Sequence, residues 1–121
     1  MNKTILVIEN DEHVTEVINI ILTEQGFKVK TCRSEISVLQ SIIDLQPAAI
    51  LLDVISVSEV GTELCRLISK TKSIADIPVI VLSTHPRAHE MKEVCADDVV
   101  LKPFDIDELV AALDKQLTAV S

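Results

Sequence analysis

Apolar residues fall along this chain in short continuous runs and in helical stripes, and the two patterns alternate. Ile5-Leu6-Val7-Ile8 is an unbroken apolar run ended by the polar cluster Glu9-Asn10-Asp11-Glu12, the pattern of a strand buried on both faces. Val14, Val17, Ile18, Ile21 and Leu22 then recur at helical spacing up to Gly26, which predicts an amphipathic helix with a glycine stop. Residues 27–32 alternate as a second strand. Ser34 stands where it can cap a second helix with the stripe Leu39, Ile42, Ile43 and Gln46, closed by Pro47. Residues 48–52 form a third apolar run that ends at Asp53, and beyond a loop to Gly61 the residues Leu64, Leu67 and Ile68 mark a third helix. Residues 78–82 predict a fourth strand ending at Ser83-Thr84, and Pro86 suits the first position of a short helix. Residues 99–101 predict a fifth strand, ended by Lys102-Pro103. Ile106, Leu109, Val110, Leu113 and Leu117 form the last stripe, with Asp105 as its cap.

Five strands alternating with five helices, the strands apolar throughout, define the fold class as α/β, a doubly wound five-stranded parallel sheet flanked by five helices. The 121 residues carry no repeat, linker or low-complexity segment and read as a single domain over 1–121.

Composition narrows the function. A net charge of −8, with no local Lys/Arg cluster, sets the surface against a phosphate backbone and predicts no direct nucleic-acid contact. Phe27 and Phe104 are the only aromatic residues, too few to stack a flavin, a base or a sugar. No apolar run approaches the ~18 residues needed to cross a membrane, and the start of the chain lacks a signal-peptide core. Cys32, Cys65 and Cys95 lie far apart without a CxxC pair. That spacing points to neither a disulfide framework nor a zinc site; the three read as small core or half-buried residues in a reducing cytoplasm.

Doubly wound sheets bind ligands beyond the carboxyl ends of their strands. Those ends are Glu9 and Asn10 on the first, Asp53 on the third, Ser83 and Thr84 on the fourth and Lys102 on the fifth; the second offers Cys32 and Arg33. Carboxylate and amide oxygens suit a hard divalent cation such as Mg²⁺. A carboxylate can also act as nucleophile toward phosphorus, with a hydroxyl and an ammonium to receive the phosphoryl oxygens. The set therefore points to phosphoryl chemistry.

In Ile5-Leu6-Val7-Ile8-Glu9, Ile50-Leu51-Leu52-Asp53, Gly61, Pro78-Val79-Ile80-Val81-Leu82-Ser83 and Ala96-Asp97-Asp98 through Lys102-Pro103-Phe104, in this order and spacing, the chain resembles the receiver domain of two-component response regulators over essentially its whole length. The resemblance implies the flavodoxin-like strand order 2-1-3-4-5. It implies that Asp53 accepts a phosphoryl group from a histidine kinase or histidine phosphotransfer protein. Mg²⁺ would be held by Glu9, Asn10, Asp53 and the main-chain carbonyl of Ile55, with Ser83 as the switch hydroxyl and Lys102 on the phosphoryl group. It further implies a signalling role without turnover of an external substrate, an output through a downstream protein effector, and a Lys102–Pro103 bond of the kind often found cis.

Four departures stand out. Asn10 occupies a position usually held by aspartate, so one ligand brings no charge and metal affinity should weaken. Val99 replaces an aromatic switch residue, Val57 and Ser58 replace a common Pro-Gly pair, and the stretch from Ser83 to Lys102 is shortened. They define the alternative, a degenerate receiver that binds protein independently of phosphorylation. A flavin or nucleotide enzyme would need a glycine-rich phosphate loop, and the chain has only Gly26 and Gly61. Structural roles compete at single positions. The Glu9–Glu12 cluster could be a solvated cap, and Ser83 could cap the next turn. His85 and His89 lack a third ligand for a metal.

Overall fold

The computed structural model describes residues 3–54 and 60–119. Strand β1 (Thr4–Ile8) leads into helix α1 (Glu12–Glu24), β2 (Lys28–Cys32), α2 (Val38–Leu45) and β3 (Ala49–Asp53). Helix α3 (Val60–Lys70), β4 (Val79–Ser83), a 3₁₀ helix (Ala88–Glu93), β5 (Asp98–Leu101) and α4 (Ile106–Ala119) complete the order. The five strands pair in parallel in the order β2-β1-β3-β4-β5. This is the expected doubly wound arrangement. Among the described residues the fourth of five helical segments is the 3₁₀ helix, starting two residues beyond Pro86.

The inner strands β1, β3 and β4 are apolar between their ends because both faces are covered, whereas the edge strand β2 carries Lys28, Lys30 and Thr31 and is largely exposed. Leu6, Ile8, Ile50, Leu52, Val79 and Val81 face α2, α3 and the 3₁₀ helix, and pack with Ile42, Leu64, Cys65, Ile68 and Met91. Their alternates, Ile5, Val7, Leu51, Ile80 and Leu82, face α1 and α4, and pack with Ile18, Leu22, Leu109 and Leu113. Alternation of side chains across the pleat thus sends successive residues of one run into two separate cores.

Several local expectations need correction. Val17 and Ile106 were placed in helical stripes, yet they are 53% and 55% exposed. Val17 stands a full turn from Ile21 but on the solvent side of α1, and Ile106 sits in the first turn of α4, where the sheet has already ended. Ser34 does not cap α2. That helix starts after Ser37, which makes no side-chain capping bond, and the Ser34 backbone N–H instead donates to Asn10. Gln46 leaves the α2 stripe to become its left-handed C-cap, at φ 49°. Cys65 takes the fully buried place on α3, while Leu67 is half-buried. Cys65 and Cys95 are joined as a disulfide, contrary to the expectation of unpaired cysteines. The contact is made by tertiary folding between α3 and the end of the 3₁₀ helix, across a sequence separation of 30, so no local spacing announces it.

Candidate functional site

The sheet register brings the strand ends together. Ile8 pairs with Leu52, so the next residues on the two strands, Glu9 and Asp53, come level at the same edge. Asp53 in turn lies opposite Leu82, and Ser83 opposite Leu101. Backbone bonds carry the pairing just past the strands: Glu9 N–H to Cys32 O at 3.0 Å, Val54 N–H to Leu82 O at 2.9 Å, and Lys102 N–H to Ser83 O at 2.8 Å. Main-chain pairing thereby brings the residues that carry carboxylate, hydroxyl and ammonium groups level along one edge.

Lys102 Nζ stands between the two carboxylates, donating to Asp53 Oδ1 at 2.7 Å and to Glu9 Oε2 at 3.0 Å. Glu9 is 5% and Asp53 8% exposed, so the ammonium compensates two anions that are largely withdrawn from water. Burial pushes the Glu9 carboxyl above its ordinary value and the Asp53 charge adds to this, while hydrogen bonds from Lys102 and the Asp11 N–H oppose it without cancelling it. Burial works against the Lys102 charge, but the hydrogen bonds to Asp53 and Glu9 outweigh it and hold the ammonium above its ordinary value. The Lys102–Pro103 peptide is cis.

The three polar residues after β1 divide their tasks. Glu9 faces the lysine. Asn10 Oδ1 accepts the Ser34 N–H at 2.8 Å, tying the end of β1 to the segment after β2. Asp11 is the N-cap of α1, its Oδ1 accepting the N–H groups of His13 and Val14 at 2.9 and 3.2 Å. Ser83 is fully buried and its Oγ accepts the His85 N–H at 3.0 Å, a turn-closing bond. His85 Nδ1 accepts the Arg87 N–H in the same turn.

Glu9, Asn10, Asp11, Asp53, Val54, Thr84 and Lys102 line an open cleft of about 370 Å³. Of the expected site residues, Glu9, Asn10, Asp53 and Lys102 converge there. Ser83 lies beneath the cleft, and Ile55 lies outside the described residues. Thr84, the second strand-end residue of β4, lines the cleft where Ser83 does not. The strand's two-residue periodicity carries that signal, because Ser83 is the last buried position and Thr84 the first to leave the sheet. The cleft and its paired carboxylates suit a hard cation with water completing its shell: two anionic oxygens already converge on one positive charge. The fit is partial at Asn10, whose oxygen is engaged by Ser34.

Residues 5–114 match the response regulator receiver domain model. The chain belongs to that family, whose members are signalling modules of two-component systems. It is 32% identical over 116 residues to the phosphate regulon transcriptional regulatory protein PhoB of Pseudomonas aeruginosa, covering 93% of this chain and 51% of that protein. The chain thus spans about half the length of the curated relatives it matches. The signal receiver domain of a signal transduction histidine kinase from Syntrophus aciditrophicus superposes with a TM-score of 0.84 at 28% identity, covering 98% of this chain and 92% of that one. The receiver domain of a sensor histidine kinase from Pseudomonas aeruginosa PAO1 shares the fold, with a TM-score of 0.84 at 23% identity over 98% of this chain and 99% of its own, and has a magnesium ion coordinated in its active site cleft. No helix among the described residues is long and apolar enough to cross a membrane.

Proposed function

We propose that residues 1–121 form a single phosphoacceptor domain that takes a phosphoryl group on Asp53 and relays the signal by protein–protein interaction. The observation that carries this reading is Lys102 Nζ poised between the Glu9 and Asp53 carboxylates at the carboxyl edge of a parallel sheet. The donor is the phosphohistidine of a histidine kinase or histidine phosphotransfer protein. A carboxylate oxygen of Asp53 attacks phosphorus in line, and the N–P bond breaks with its electron pair remaining on the imidazole. Lys102 turns one of its donor bonds to a phosphoryl oxygen as charge builds there. Ser83 Oγ, which accepts the His85 N–H, would direct its own O–H to a phosphoryl oxygen as a second donor.

Glu9 and Asp53 would hold Mg²⁺, aided by the Asn10 amide oxygen and the Ile55 carbonyl. The ion would neutralise charge on the incoming phosphoryl group. The receiver-domain cleft from Pseudomonas aeruginosa PAO1 that holds magnesium supports this assignment by analogy of fold. The same reading places the domain in the cytoplasm, with a downstream protein effector and no membrane contact. A net charge of −8 disfavours direct nucleic-acid contact by these residues. A longer protein of the transcriptional-regulator kind would make that contact through its other half.

The state of Asn10 favours a second reading, a degenerate receiver that binds its partner regardless of phosphorylation. Its side chain brings no charge and its oxygen is spent on Ser34. Incubation with acetyl phosphate and Mg²⁺, resolved on a phosphate-affinity gel, separates the two. A Mg²⁺-dependent shifted band that Asp53→Asn abolishes is the expected result. No shift in folded protein, restored by Asn10→Asp, would replace it with the degenerate reading.

A further inference from the structure

The structure joins Cys65 and Cys95 in a bond that the phosphoryl site does not use. Their Cα atoms are 5.7 Å apart, inside the range a disulfide spans without backbone movement. We propose that this pair is a reversible redox site: oxidation to the disulfide clamps the turn that follows the 3₁₀ helix to α3, and reduction releases it.

Two features of the fold give the pair this role. The first is unequal access. Cys65 is fully buried in the core on α3, whereas Cys95 is half-buried and lines a cavity of about 160 Å³ with Thr62, Arg66, Glu90, Met91 and Val94. A thiolate reductant can therefore attack the Cys95 sulfur, forming a mixed disulfide there and expelling the Cys65 thiolate. A second reductant thiol then attacks the mixed disulfide, so two thiols become one disulfide as the protein gains two protons and two electrons. In the other direction a peroxide takes those electrons: two thiols and hydrogen peroxide give the disulfide and two waters.

The second feature is what the bond holds. The 3₁₀ helix is six residues long, beyond the length at which 3₁₀ geometry is usually sustained. Its sequence buries only Ala88 and Met91, and the N–H groups of Cys95 and Ala96 both converge on Met91 O at 2.9 Å. The Cys65–Cys95 bond thus adds a covalent tie from α3 to the connection between β4, which ends in Ser83, and β5, which leads to Lys102. Intracellular disulfides, where they occur, are typically transient and redox-responsive. Cys32 supplies an internal reference. It is unpaired on β2, at the opposite edge of the sheet, and burial pushes its thiol up, away from reactivity.

The test uses the whole chain and does not depend on phosphorylation. After hydrogen peroxide treatment and alkylation in denaturant, only one of the three cysteines, Cys32, should be labelled. The intact mass should lie about 2 Da below that of the reduced form, and a Cys65–Cys95 peptide should be recovered. Dithiothreitol should restore labelling of all three, speed amide exchange across residues 85–96, and lower the melting temperature by about 10 °C. Cys95→Ser, a change at a half-buried position, should show the reduced pattern of exchange whether or not peroxide is added. Full labelling after peroxide, a bond to Cys32, or identical exchange in the oxidised and reduced forms would each overturn the proposal.

Discussion

Lys102 is the residue on which the site's charge balance turns. In the folded protein it is held above its ordinary value of 10.5, so the folded state binds that proton more tightly than the unfolded chain. Its stabilising contribution is therefore complete below pH 10.5 and is lost as pH rises through the higher folded-state value. Removing it leaves Glu9 and Asp53 buried without a counter-charge, a change that is costly at neutral pH. Lys102→Met should accordingly be less stable than wild type by urea unfolding at pH 7, and the gap should narrow above pH 10.5. A gap that stays constant would mean that the alkyl stem, rather than the ammonium, supplies the stability. The chain has no tyrosine, so phenol ionisation does not complicate the comparison. Asp53, Glu9 and Lys102 were legible in the sequence because each directly follows an apolar run, and a parallel sheet aligns such positions. The Asn10–Ser34 bond was not, since it depends on where a side chain turns after the strand has ended.

At the level of elements, the contact between α3 and β3 explains the glycine near the start of α3. A Cβ on Gly61 would stand 2.9 Å from the Asp53 carbonyl oxygen and 3.2 Å from Val54 Cγ2, with backbone on one side and the core on the other. Alanine normally gains about 1 kcal/mol over glycine inside a helix, but overpacking against backbone costs about 1–3 kcal/mol. Gly61→Ala should therefore come out net destabilising, by about 1 kcal/mol in urea, and should slow phosphorylation because the strand that must yield carries Asp53. A stabilised variant would show that α3 can lift away freely. The inner strands β1, β3 and β4 were recoverable from sequence to within a residue, because burial on both faces leaves no polar position between their ends; the edge strand β2 showed only as an alternation. Helix boundaries were less so. Ser34 satisfied the capping rule for α2, but its N–H found a partner 24 residues away in Asn10, a competition that periodicity does not register. The 3₁₀ geometry of the fourth helical segment was likewise hidden, its six residues being too few for a stripe to distinguish one helix type from another.

Across the whole molecule, 19 acidic residues face 11 basic ones, and the described ion pairs outside the cleft are surface contacts, Arg87–Glu90 and Lys92–Asp98. Such pairs contribute little, so self-repulsion of the acidic surface should dominate the response to salt. Raising NaCl from about 0.01 to 0.15 M shortens the screening length from about 30 to 8 Å, and the melting temperature should rise by a few degrees. A fall would mean that attractive pairs outweigh the repulsion. Fold class and strand order were readable from alternation and resemblance together. The Cys65–Cys95 bond was not, because it joins elements on one face of the sheet that only tertiary packing brings within reach.

The bond between Asn10 and Ser34 has a consequence for how this site can change over evolutionary time. The loop uses only one atom of the Asn10 side chain, the acceptor oxygen, and a carboxylate offers the same acceptor in the same place. An amide-to-acid exchange would therefore keep the loop while adding a negative charge beside Glu9 and Asp53. Loop architecture and pocket charge are separable at this position, so a lineage carrying the neutral form remains one substitution from the acidic one, with no intermediate that must sacrifice the fold.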